Sequence, residues 1–266
     1  MTAIMWDEVG TRFYETGVDR GVLYLTDGLG VPWNGLTSVT EKTSGSTESP
    51  LYFDGVKYGE HLAVGDFGAT LKAYTYPDEF LEFEGVLDGG NGLFVTNQFP
   101  SRFGLSYRTK IGNDVDGLDA GYKIHILYNL LAIPSQKGYN SLSDNAGNLS
   151  EFEWTLSSIP GEIEGFRPTS HIILDTRIMS PVLVADIETT LYGNEINAPY
   201  LPPISTLVSQ ISSWVIIRII DNGDGTWTAE GPDDLISMLD ATTFQIIQAN
   251  AVYLDADTYA ISDSTH

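Results

Sequence analysis

The chain has 266 residues, no cysteine, and 36 acidic against 13 basic residues, for a formal net charge of −23. Hydrophobic residues make up 42%, enough for a core, so global disorder is excluded despite the charge; the missing cysteines exclude a disulfide framework, thiolate metal sites and a cysteine nucleophile. A pI near 4.2 argues against a high-affinity nucleic-acid binder and against docking on an anionic membrane, because both need Lys and Arg.

At about 150 residues per domain, one or two domains are expected. Asp7 and Glu8 precede any apolar stretch, which argues against a signal peptide. The longest apolar run, 214–220, is interrupted by Arg218 and falls short of the roughly 18 residues of a membrane span. A soluble protein that stays in the cytoplasm where it is made is the expectation.

The first two thirds read as strands. Val22-Leu23-Tyr24-Leu25 is bounded by Gly21 and Asp27-Gly28. Leu51-Tyr52-Phe53 and Val56-Lys57-Tyr58 flank Asp54-Gly55, a strong hairpin signal. Pro77-Asp78-Glu79 suits a helix start. From 103 to 111 the pattern alternates: Phe103, Leu105, Tyr107, Thr109 and Ile111 share one face, and Ser106, Arg108 and Lys110 the other. A loop over 112–121 carries Asp114, Asp116 and Asp119, and residues 122–131 return as the second strand of a long hairpin. A second hairpin is expected from 149–175. In it Phe152, Trp154 and Leu156 face one way and Glu151, Glu153, Thr155 and Ser157 the other, before a Pro/Gly-rich loop at 159–168 and a return strand over 171–175. Residues 181–191 read as a helix stopped by Gly193.

Composition then shifts. Twelve of the thirteen basic residues precede position 178, and the remainder holds Arg218 alone against twelve acids. Pro199-Tyr200-Leu201-Pro202-Pro203 marks the change. It predicts a domain over 1–198, a Pro-rich linker over 199–203 and a small α+β domain over 204–266. That small domain reads as a helix from 203 to 211, a hairpin around Asp221-Asn222-Gly223-Asp224-Gly225, a short helix from Pro232 through Leu239, and closing strands over 251–253 and 259–261.

Chemical motifs are weak. The 221–225 turn misses the alternate-position oxygens and the distal Glu of a calcium loop. Leu87-Asp88-Gly89-Gly90-Asn91-Gly92 lacks a following Gly-Lys-Ser/Thr, so it is not a P-loop, and Gly28-Leu29-Gly30 lacks the third glycine of a dinucleotide fingerprint. His61, His125, His171 and His266 are too far apart for a helical metal pair, and His125 and His171 read as hydrogen-bonded sheet residues. Glu82/Glu84 and Glu151/Glu153 read as solvated faces rather than a glycosidase pair. No catalytic residue, metal or cofactor is expected.

Several blocks in fixed order carry a family resemblance. They are Tyr14-Glu15-Thr16-Gly17-Val18-Asp19-Arg20-Gly21, Phe103-Gly104-Leu105-Ser106-Tyr107-Arg108-Thr109, Gly121-Tyr122-Lys123-Ile124-His125, Phe152-Glu153-Trp154, Arg167-Pro168-Thr169-Ser170-His171, Leu191-Tyr192-Gly193 and Asp221-Asn222-Gly223-Asp224-Gly225-Thr226-Trp227. Together they resemble the major tail (tail tube) proteins of long-tailed phages infecting actinobacteria. The resemblance covers most of the chain and is weakest over 85–100.

It implies a mainly β fold, a tail-tube β-sandwich or barrel with a flanking helix. It implies a structural virion protein made in the host bacterial cytoplasm, which assembles with itself into hexameric rings stacked as a tube. The implied partners are the tape measure protein and the tail terminator and tail-tip proteins, with transient, non-specific passage of double-stranded DNA and no membrane binding. Residues Ser106, Arg108, Lys110, Lys123, His125, Glu151, Glu153, Thr155 and Ser157 are then candidates for lumen-facing or inter-subunit positions, and Asp114, Asp116 and Asp119 for a ring-to-ring loop. Arg108, Lys110 and Lys123 either face the lumen or pair with Glu151 and Glu153 on neighbouring strands. The C-terminal part either decorates the outside or covers the ring-to-ring joint. An acidic conduit lets phosphate slide without holding it. The alternative reading is a carbohydrate-binding or adhesive β-sandwich module, suggested by 14 tyrosines and five tryptophans.

Overall fold

A computed structural model describes residues 5–43, 48–62, 67–137, 150–212, 214–221, 227–230, 236–240, 243–246, 251–255 and 258–262. In chain order the elements are β1 (Tyr14–Tyr24), β2 (Gly30–Trp33), β3 (Leu36–Thr43), β4 (Glu48–Phe53), β5 (Val56–Leu62), β6 (Phe67–Ala73), α1 (Phe80–Phe83), β7 (Leu87–Asp88), β8 (Phe94–Val95), β9 (Phe103–Asn113), β10 (Gly117–Gln136), β11 (Phe152–Ser158), β12 (His171–Asp175), α2 (Pro181–Tyr192) and α3 (Ile204–Ser212). The chain continues with β13 (Trp214–Asp221), β14 (Trp227–Glu230), β15 (Ile236–Asp240), β16 (Thr243–Ile246), β17 (Ala251–Asp255) and β18 (Thr258–Ser262). The protein is mainly β, as its alternating pattern anticipates. Among the described residues no helix is long and apolar enough to cross a membrane.

The main sheet is antiparallel and runs β2-β1-β9-β10-β11-β6-β3, with β12 also on β10. The 103–131 hairpin is present as β9 and β10, but its turn is tighter than the 112–121 loop expected, and Asp119 lies inside β10. The second hairpin is not formed. Instead, β11 and β12 divide one edge of β10: Lys123–Leu127 pair with β12, and Leu130–Gln136 with β11. The handover falls at Asn129, in the left-handed region at φ 53°, a conformation asparagine tolerates better than most residues. Arg102 Nη1 donates to the Asn129 carbonyl at 2.8 Å. A 20-residue strand therefore serves two neighbours in turn.

Both faces of β9 and β10 are buried. The odd-numbered side chains Phe103, Leu105 and Tyr107, with Leu127 of β10, join Leu23, Leu71, Trp154 and Leu156 inside the fold. Trp33, Phe80 and Trp154 interlock there, with ring centroids 4.5–5.7 Å apart. The even-numbered face, Ile124, Ile126 and Tyr128 with Tyr24, lies beneath Leu183, Ile187 and Leu191 of α2 and Ile204 and Leu207 of α3. Helix α2 begins at Pro181, whose missing N–H costs nothing at a first turn, and stops at Gly193, φ 75°. Tyr24 illustrates the join: its buried hydroxyl donates to the Leu191 carbonyl at 2.9 Å and accepts from Ser106 at 3.1 Å.

The 199–203 segment is bonded along its length. Gly30 N–H donates to the Pro199 carbonyl, Tyr200 N–H to Thr190, and Leu201 N–H to Gly28. The packing runs on into α3, so α3 shares the core of the residues before it. Beyond it, β13, β14, β17 and β18 form one sheet and β15 with β16 a hairpin. The expected helix through Leu239 is β15 over 236–239, paired with β16; a run this short gains more from a ladder than from one helical turn. The 222–226 turn and Pro232-Asp233-Asp234 lie outside the described residues. The Asp54-Gly55 hairpin is formed by β4 and β5, with both turn residues at positive φ, 50° and 76°, as a primed turn requires.

One charge pair lies at the rim of the aromatic core. The Glu84 carboxylate, only 1% exposed, receives Lys137 Nζ at 2.6 Å and the Trp154 indole N–H. Lys137 stands over the Tyr76 ring, 5.0 Å from its centroid. Removing one partner strands the other in a low-dielectric site. Lys137→Met is expected to lower stability by about 3 kcal/mol, and adding Glu84→Gln to recover most of it. Urea unfolding followed by tryptophan fluorescence checks both; equal stability of Lys137→Met and the parent removes the pair's role.

Candidate functional site

The inner faces of β3, β9, β10 and β12 change from apolar to polar toward one end. There Glu41, Tyr107, Thr109, Lys123 and His125, with Glu15 of β1, line an open cleft of about 490 Å³. Alternation delivers this set: Tyr107 and Thr109 continue the face of Leu105, and Lys123 and His125 that of Leu127. Glu41 reaches them from β3 because the sheet coils until its far strand lies over its middle. The Tyr107 hydroxyl donates to Glu41 Oε1 at 2.5 Å. The rings of Tyr107 and His125 stack 4.7 Å apart at 7°.

Two histidines meet here. His125 Nδ1 lies 3.2 Å from His171 Nε2 and 2.9 Å from Glu41 Oε1, and His171 Nδ1 is 3.7 Å from Glu41 Oε2. Both rings are largely enclosed, with side chains 6% and 10% exposed. His125 holds the Glu41 carboxyl down to a pKa of about 2. Burial lowers the pKa of His171 to about 4, so it is neutral at pH 7. On the far side of His125, Nε2 is 3.0 Å from Thr109 Oγ1. The Thr109 hydroxyl in turn donates to Glu15 Oε1 at 2.5 Å, and Glu15 also takes Lys123 Nζ at 2.5 Å. Sequence reading treats His125 and His171 as separate sheet residues and does not connect them with Glu41. Their separations, 46 residues between the histidines and 84 between Glu41 and His125, leave no local signal.

The opposite face holds a second network. Arg108 grips Asp19 with two bonds, Nε to Oδ1 at 2.9 Å and Nη2 to Oδ2 at 3.0 Å. Its guanidinium stacks 4.5 Å from the Tyr122 ring centroid, and Tyr122 donates to Glu188 of α2 at 3.0 Å. Lys110 Nζ is 3.9 Å from Asp19. The basic residues of this hairpin thus pair with Asp19, Glu15 and Glu188 rather than with Glu151 and Glu153, which share Lys72 at 3.6 and 3.2 Å. Register explains it: β1 is β9's neighbour, and β6 is β11's.

The lumen or inter-subunit candidates therefore separate. Ser106 and His125, 0% and 5% exposed, are enclosed by α2 and by β3 respectively and face no outer surface of the chain. Arg108 is partly covered and committed to Asp19. Lys110, Glu151, Thr155 and Ser157 are exposed, and Lys123 and Glu153 half-buried. Of the loop set, Asp114 receives the Gly10 N–H at 3.0 Å and Asp116 the Asn113 amide at 2.8 Å. Asp119 is exposed on β10. Trp154, on the apolar face of β11, is a core residue.

Sequence reasoning does not single out the exposed apolar residues. Three excursions from the main sheet carry many of them: the segment before β1 with Met5, Trp6 and Val9; the β4–β5 tip with Tyr52, Phe53 and Tyr58; and the stretch around β7 and β8 with Leu93, Phe94 and Phe99. Trp6, Tyr58 and Phe99 are 78%, 82% and 101% exposed.

No protein-family model matches the chain, and no curated protein matches it. Solved structures do. A chain of the six-fold symmetrised anti-feeding prophage baseplate is 10% identical, with a TM-score of 0.32, over 66% of this chain and all of that one. A chain of the sheath–tube complex of an extracellular contractile injection system in its extended state is 17% identical, with a TM-score of 0.29, over 59% of this chain and 89% of that one. A chain of the anti-feeding prophage tube-terminating cap is 13% identical, with a TM-score of 0.32, over 66% and 97%.

The Arg108 guanidinium, as principal cause, holds the Asp19 carboxyl below its ordinary pKa of 3.8. Its contribution is present above pH 3.8 and is lost as the pH falls through the lower folded value. Asp19→Asn is expected to lower Tm at neutral pH and to flatten the acid limb of the stability curve. Parallel Tm–pH curves for variant and parent would show that the pair contributes nothing.

Proposed function

We propose that this chain is a structural subunit of a phage tail, of the tail-tube kind, which assembles with itself into stacked rings around a passage for DNA. The observation that carries the reading is the set of aromatic and aliphatic side chains exposed together on three excursions from the main sheet. Nothing within the described chain covers them. Scattered single exposed apolar residues are ordinary, but clusters of this kind mark association surfaces. A subunit that closes rings with copies of itself needs complementary patches on different sides, not one self-matching patch.

The sequence blocks resembling tail-tube proteins supply the identity of the assembly, and the acidic charge suits a conduit that does not grip phosphate. On this reading the exposed candidates Lys110, Glu151, Thr155 and Ser157 lie on the strand surfaces available to a lumen or a neighbour. The tape measure, terminator and tail-tip proteins would be its partners in the virion tail. Hexameric symmetry comes from the family resemblance alone.

Light scattering followed by negative-stain microscopy of concentrated protein, with and without tail-tip extract, tests the reading. Rings or tubes are expected in at least one sample. Monomers in both would overturn it. Phe53→Asp with Tyr58→Asp is expected to abolish assembly while leaving Tm within about 1 °C, because exposed substitutions change stability little. Assembly at parental levels by this variant would remove the β4–β5 tip from the interface.

A further inference from the structure

We propose that Glu41, His125 and His171 form a binding site for one divalent transition metal ion, zinc by preference. Their ligand atoms all lie within 4.8 Å of one another. Two of the distances share His125 Nδ1, 2.9 Å to Glu41 Oε1 and 3.2 Å to His171 Nε2, and both lie close to the edge of about 3.3 Å expected between donors of a tetrahedral ion bound at about 2.05 Å.

Proton accounting leads to the same place. The Thr109 hydroxyl spends its hydrogen on Glu15. Its oxygen is therefore left to accept from His125, which places the His125 proton on Nε2. In the singly protonated ring Nδ1 then carries a lone pair, yet it sits 2.9 Å from Glu41 Oε1, which already accepts from Tyr107. Two electron-pair donors in contact inside the fold need a positive charge. His171 can give its Nε2 proton to His125, but that leaves its Nδ1 lone pair facing the other Glu41 oxygen at 3.7 Å. A single cation held by His125 Nδ1, His171 Nε2 and Glu41 takes up these electron pairs and leaves the His171 Nδ1 proton to face the carboxylate. A second proton on the pair is the competing occupant.

The surroundings match a metal site on three further counts. A ligating histidine characteristically donates its distal N–H to a fixed partner, and Thr109 is that partner. The Tyr107 hydroxyl fixes the carboxylate in the same way. The cleft lined by Val39, Thr40 and Ile173 gives access from solvent. The neighbouring ammonium of Lys123 is neutralised by Glu15, so it does not oppose a cation. Two imidazoles and one carboxylate, without thiolate, suit zinc and its neighbours in the series over calcium or magnesium. Three protein donors leave a coordination position for water from the cleft. The ion would join β3 to β10 and β12, fastening the coiled sheet's far strand to its middle.

The test is calorimetric titration of untagged, chelator-treated protein with zinc chloride, with cobalt(II) absorption as a second probe. One ion per chain is expected, together with a rise in Tm and visible cobalt bands of a low-symmetry site. Glu41→Gln and His171→Gln are each expected to weaken binding roughly tenfold or more, with circular dichroism confirming that they fold. X-ray absorption of the zinc-loaded parent does not depend on variants folding and should show two imidazoles in the first shell. Absence of binding at large zinc excess would overturn the proposal and leave the proton as occupant. Equal binding by parent and variants, or an oxygen-only shell, would also overturn it by placing the ion elsewhere.

Discussion

Everything in this fold depends on a pair of strands that must be covered on both sides. Phe103, Leu105, Tyr107 and Leu127 point into the sandwich, while Ile124, Ile126 and Tyr128 point out of it and are just as buried. A sheet with one apolar face needs one cover; β9 and β10 need two. The inner cover is the sheet itself, coiling until β6 and β3 lie over its centre. The outer cover is α2 and α3. The polar residues of the outer face are arranged around this demand: Ser106 bonds the Tyr24 hydroxyl that reaches Leu191 of α2, and Arg108 links Asp19 of β1 to Glu188 of α2.

The same coiling explains the Glu41–His125–His171 cluster. β3 closes over β9 and β10 with apolar contact at one end and a polar seam at the other. In a chain with 36 acidic and 13 basic residues, a carboxylate brought into a seam more often meets another acid than a cation. Here Glu15 and Asp19 of β1 meet Lys123 of β10 and Arg108 and Lys110 of β9 respectively. Glu41 is left with Tyr107 and two imidazoles.

Local chemistry was legible in the sequence and long-range pairing was not. The Asp54-Gly55 turn, the helix between Pro181 and Gly193, and the alternation through 103–111 each rest on one or two residues whose conformational preference is strong. The pairing of β11 and β12 rests on the kink at Asn129, which no periodicity reveals. Alternation placed Arg108 and Lys110 together correctly but could not say that a helix covers that face, since a polar residue facing a helix and one facing solvent read alike. Asp233 beside Pro232 looked like a helix start, yet the short run after it pairs as a strand. The histidine cluster was invisible because its members come from three strands distant in sequence, and only the closure of the sheet brings them together.

The register of β1 has a kinetic consequence. Tyr14 pairs with Gly112 and Tyr24 with Gly104, so the first strand, with only the four-residue β2 on its other edge, must wait for its long partner, made some eighty or more residues later. Pairings of such long range are slow to nucleate, because loop closure precedes any gain from contact. During synthesis β1 and its exposed neighbours Trp6 and Phe13 emerge well before β9 can receive them. A nascent chain in that state presents a strand with one edge unpaired beside aromatic side chains, the kind of species that associates prematurely. The rate at which β9 and β10 reach β1 therefore sets how long the newly made chain must be kept from its siblings.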